Sequence, residues 1–64
     1  MKVREVISIL EREGWALARQ SGSHRQFSHP ERPGVVTVAG SLGDEVPRGT
    51  LASIWRQAGQ KGPR

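Results

Sequence analysis

The hydrophobic pattern first changes period at a single glycine, and that change constrains what a chain this short can fold into. Before Gly14 the apolar residues Val3, Val6, Ile7 and Leu10 recur at i, i+3, i+4 and i+7, the spacing of one helix face. After Gly14 the period drops to two. Trp15, Leu17 and Arg19 alternate with Ala16, Ala18 and Gln20, the spacing of a strand. Neither a helical bundle nor an all-strand barrel accommodates both. Gly14 stands where a helix commonly ends in a left-handed residue. A helix is expected over residues 2–13 and a strand over 15–20.

The remainder follows the same rules. Ser21-Gly22-Ser23 reads as a three-residue hairpin connection, with Gly22 free to take positive φ. Residues 24–29 form the returning strand, with Arg25, Phe27 and His29 on the helix side and His24, Gln26 and Ser28 facing away. Pro30 ends it, because proline cannot donate to a ladder. Glu31-Arg32-Pro33-Gly34 is a turn, and the β-branched run at residues 35–38 is a third strand. Residues 39–49 make a connection long enough to be mobile or functional. Thr50 is expected to cap a second helix reaching Ala58, with Leu51, Ile54, Trp55 and Ala58 inward and Gly59 as its stop. The order is α-β-β-β-α, an α+β fold with a three-stranded antiparallel sheet and both helices on one face. Residues 1–59 form one domain, and residues 60–64 a flexible tail.

Composition bears on the stability and the partner of such a fold. A chain of 64 residues buries only about 60% of its unfolded surface, so the core is thin. With no cysteine, neither a disulfide nor a thiolate zinc site reinforces it. No apolar run approaches the roughly 20 residues that cross a bilayer. Glu5, Glu11 and Glu13 make the N-terminal stretch unlike a signal peptide, and a cytoplasmic protein is expected. The formal net charge is +4, and eight of the ten cations are arginine. Arginine's planar fork pairs with phosphate oxygens two at a time, which points to a nucleic acid. Trp15, Phe27 and Trp55, the whole aromatic set, are all expected in the core. Unpaired bases therefore have no stacking platform, and recognition is expected through phosphates, 2′-hydroxyls and shape.

His24 is the residue best suited to chemistry. RNA carries its own nucleophile, the 2′-hydroxyl, and cutting it needs a base, an acid and cations around the phosphorane. An imidazole, with an ordinary pKa near about 6.5, can accept or donate a proton at neutral pH. Gly22 and Ser23 would shape the approach of a phosphate, and Arg19, Arg25 and Arg48 would hold it. Arg48 is included because it precedes the second helix, whose N-terminus attracts anions. His24 and His29 lack cysteine or carboxylate company at metal-ligand spacing, so no metal is expected. No GxxxxGK[ST] or GxGxxG run calls for a nucleotide cofactor. The residues alone leave two further readings open: a non-catalytic RNA-binding module, and a protein whose basic surface serves only an acidic protein partner.

At Gly14-Trp15, Ser21-Gly22-Ser23-His24, Phe27-Ser28-His29-Pro30, Val36-Thr37-Val38, Gly49-Thr50-Leu51 and Arg56-Gln57-Ala58-Gly59 the chain resembles the HicA family of bacterial toxins. The match runs from about residue 2 to 59. The resemblance implies a fold like that of double-stranded-RNA-binding domains, translation-independent cleavage of mRNA, and neutralisation by a HicB-type antitoxin. From the residues themselves the cleavage is expected to be metal-independent, and a domain this small is compatible with a free monomer. It also implies that the histidine of the Gly-Ser-His segment, here His24, is the residue required for toxicity. A degenerate toxin acting only as an interaction protein would share the motifs. Two departures stand out. Family members often carry proline, histidine or lysine just past the third strand, where this chain has Ala39-Gly40-Ser41-Leu42-Gly43-Asp44-Glu45. Gln60 replaces the usual apolar residue after Gln-Ala-Gly.

Overall fold

The first helix, α1 (Val3–Arg12), buries Val3, Val6 and Leu10, packs Ile7 and Ile9 partly buried against the same core, and turns its charged residues to solvent. Its end is a Schellman motif: Gly14 N–H bonds the Glu11 carbonyl at 3.1 Å and Trp15 N–H bonds the Leu10 carbonyl at 3.0 Å. Gly14 has φ +98, as that motif requires. Its beginning is closed by backbone from a distant loop. Val3 N–H bonds the Asp44 carbonyl and Arg4 N–H the Leu42 carbonyl, at 2.9 and 3.1 Å, satisfying donors that a helix N-terminus leaves free. The Glu5 carboxylate accepts from Lys2 N–H at 2.7 Å.

In this computed structural model residues 1–59 are described, and the tail expected over 60–64 lies outside the described residues. The element order is α1, β1 (Ala16–Ser21), β2 (His24–His29), β3 (Arg32–Val38) and α2 (Arg48–Gln57). The strands pair antiparallel in the order β1-β2-β3. The α-β-β-β-α expectation is thus met. Both helices send side chains into one core with Trp15, Phe27, Val36 and Val38. The core includes no buried polar or charged residue among those described, and the opposite sheet face stays open.

Four local expectations need correction. The hairpin loop has two residues, Gly22 and Ser23, because Ser21 pairs with His24. β1 carries a bulge: the register shifts between Leu17 and Arg19, so Ala18 is an extra residue and the alternation reverses there. Leu17 stays with Phe27, but Arg19 moves to the face of Gln26. β3 begins at Arg32, since edge position and a second register shift let Pro33 and Gly34 sit within it. α2 begins at Arg48, with Pro47 as N-cap and Leu51 N–H closing the first turn on the Pro47 carbonyl at 2.8 Å. Thr50 is therefore inside the helix, not its cap.

The long connection, too, is more constrained than its length implied. It holds α1 through the Leu42 and Asp44 carbonyls, and Val46 within it belongs to the core. Asp44 Oδ2 accepts from Ser41 N–H at 3.0 Å and shapes the turn between them. Among the described residues no helix is long and apolar enough to cross a membrane.

Candidate active site

The site is built on the β1–β2 hairpin, and its turn decides where everything else falls. Gly22 has φ +58, and among the described residues no non-glycine residue has positive φ. Positive φ at the first loop residue only is the pattern of a type II′ turn, whose twist suits a two-residue hairpin. A Cβ on Gly22 would meet no atom within 4 Å, so its conformation, not crowding, calls for glycine there. Gln20 Nε2 donates to the Gly22 carbonyl at 3.0 Å and braces the turn. His24 follows as the first residue of β2 and is exposed on the open sheet face.

The Ala18 bulge completes the site. Cross-strand partners share a face, so Ser21 and His24 form one row and Arg19, Gln26 and Thr37 the next. His24 and Gln26 are two residues apart, about 7 Å along the strand. Arg19, Ser21, His24 and Gln26 line a shallow groove of about 250 Å³. No carboxylate lines it, so Arg19 gives it a positive field. Among the described residues the His24 ring makes no hydrogen bond or ion pair with the protein. Both its nitrogens are open to a substrate.

The other proposed residues are distributed differently. Ser23 is exposed in the turn, where its carbonyl accepts from Arg25 Nη1 at 3.4 Å. The same Nη1 donates to the Gly40 carbonyl at 2.9 Å. Arg25 pairs with Val38 on the helix side of the sheet, so its guanidinium ties the hairpin to the segment after β3 instead of facing the groove. Arg48 is exposed as the first residue of α2 and stands outside the groove. Sequence reasoning had placed Gln26 on the open face beside His24 without giving it a role; the period-two alternation was the available signal.

His29, at the far end of β2, is occupied. Glu31 N–H donates to its Nδ1 at 3.0 Å, which leaves Nε2 as the N–H that donates to the Glu13 carbonyl at 2.9 Å. Its ring meets Trp15 edge-on, centroids 5.2 Å apart. A Cβ on Gly14 would lie 2.7 Å from His29 Nε2. Gly14, Trp15 and His29 thus lock the α1–β1 junction to the end of the hairpin. A parallel lock joins Arg32 Nη1 to the Ala58 carbonyl at 3.0 Å, and a Cβ on Gly59 would strike that guanidinium.

Among the described residues no three His, Cys, Asp or Glu side chains gather into a potential metal site. A second depression on the outer side of α1, lined by Met1, Arg4, Glu5, Ser8, Ile9 and Arg12, contains no histidine. The family model for the HicA toxin of bacterial toxin–antitoxin systems matches residues 3–60. No curated protein matches the chain.

Proposed function

The chain belongs to the HicA toxin family of bacterial toxin–antitoxin systems, and on that premise we propose that it is an endoribonuclease that cuts mRNA with His24. The observation that carries the reading is the idle imidazole: His24 is exposed on a face shared with Arg19 and, among the described residues, its ring makes no hydrogen bond or ion pair.

In the proposed reaction the 2′-oxygen of RNA attacks the adjacent phosphorus and the bond to the 5′-oxygen breaks. One proton leaves the 2′-hydroxyl and one arrives at the departing 5′-oxygen, giving a 2′,3′-cyclic phosphate and a 5′-hydroxyl. His24 carries one of these transfers. Water carries the other, because Arg19, Ser21 and Gln26, the remaining groove residues, are not of a type that exchanges protons readily near neutrality. Arg19 offers its fork to the phosphorane oxygens as charge builds on them. Gly22 and Ser23 keep the turn beside His24 narrow, so that a backbone can approach. The proposed chemistry uses these side chains and water, with no cofactor.

A HicB-type antitoxin is the proposed neutralising partner. Action on mRNA assigns the protein to the cytoplasm, and residues 1–59 are proposed to act as one domain.

The test is incubation of wild-type and His24→Ala protein with a structured mRNA in EDTA, read on a denaturing gel. Loss of a positioned general acid or base should slow cleavage by about 10²–10⁴-fold. Equal cleavage by the two proteins would remove His24 from the mechanism.

A further inference from the structure

We propose that the open sheet face holds a nucleobase subsite next to the cleavage groove, in which Gln26 reads the edge of one base. The inference rests on the RNA-cleaving reading of that groove.

Gln26 is half-buried, central in the sheet, and flanked in register by Arg19 on one side and Thr37 on the other. Among the described residues its side-chain amide has no hydrogen-bond partner, whereas Gln20 and Gln57 both use theirs. It lines the groove with His24. A half-buried amide between two strands is better held than the exposed side chains of β1, so it is suited to reading position and not only charge.

The chemistry of the amide favours a base over a phosphate. A phosphate only accepts, and Arg19 already offers donors to it. A glutamine amide carries a donor beside an acceptor, the complement of a base edge with an acceptor beside a donor. The adjoining surface also suits a planar group. The next cross-strand row is Ala16 with Ser28, both small. Val35, two residues before Thr37 and so on the same face, is 50% exposed. It gives the flat side of a base an apolar contact, in place of the stacking that no exposed aromatic residue supplies.

The test is binding, uncoupled from cleavage, of pentanucleotides of A, C or U to His24→Ala protein, followed by fluorescence anisotropy. One base should bind roughly tenfold more tightly than the others, within the range of a bidentate amide–base pair. Adding Gln26→Met should bring the three affinities to within about twofold, with the weaker two unchanged. Equal affinities in the protein that retains Gln26, or a preference that survives Gln26→Met, would overturn the subsite. Absence of any RNA binding at low salt would instead bring down the nuclease reading of the groove together with the subsite built on it.

Discussion

The two ends of β2 carry the same side chain in opposite circumstances. His29 donates, accepts and packs: Glu13 O, Glu31 N and the Trp15 ring account for both nitrogens and one edge. His24 does none of this. The motif residues of the family divide along the same line. Gly14, Trp15, His29, Ala58 and Gly59 meet one another or Arg32 in the two locks that join helix to sheet. Gly22 shapes a turn. His24 is a motif side chain without such a structural task, and that difference separates the residues that hold the fold together from the one proposed for chemistry.

The structural end should break most readily at Gly14. Alanine there takes a strained backbone at φ +98, and its Cβ would push His29 off the Glu13 carbonyl. Strain of ~1–3 kcal/mol plus the lost bond gives an expected destabilisation of about 3 kcal/mol in chemical denaturation. A protein this small has a total stability of only about 3–10 kcal/mol. His29→Ala is next, at about 2 kcal/mol for two hydrogen bonds and an aromatic contact. The double variant sharpens the comparison. With His29 gone, Gly14→Ala should cost only its backbone strain, so the two losses should sum to less than additive. Strict additivity would mean that Gly14 and His29 do not act on each other.

Arg25→Ala is the smallest expected change, about 1 kcal/mol from losing the bonds to Gly40 and Ser23. It also tests whether Arg25 belongs with the fold or with the substrate. As a brace it should leave the salt dependence of RNA binding unchanged, whereas Arg19→Ala should lower that slope by about 1. A fall in slope for Arg25→Ala would move that residue to the substrate side.

Much of this was legible in the amino acids, and the parts that were not have identifiable causes. The change of period at Gly14, the glycine of the hairpin turn and the apolar faces of both helices led directly to the element order. The bulge did not show, because its extra residue is an ordinary alanine; Arg19 was therefore placed on the wrong face by simple alternation. The ordering of residues 39–47 was equally hidden. Leu42 and Asp44 hold α1 through backbone carbonyls, which every residue has, so no side chain announces the contact. Arg25 has the charge and the place beside His24 expected of a phosphate ligand, but its parity puts it on the helix side, where its guanidinium bonds the Gly40 carbonyl. The sequence singles out His24 as a candidate, but it does not tell that the ring has no hydrogen-bond partner among the described residues.

The division between the two histidines is tested most directly by measuring cleavage rate and thermal midpoint together for wild type, His24→Ala and His29→Ala, with rates taken where all three are folded. His24→Ala should lose about 10²–10⁴-fold in rate and keep the wild-type midpoint. His29→Ala should keep its rate and melt about 10 °C lower. Wild-type cleavage by His24→Ala, or rate and midpoint falling together in both variants, would contradict the account.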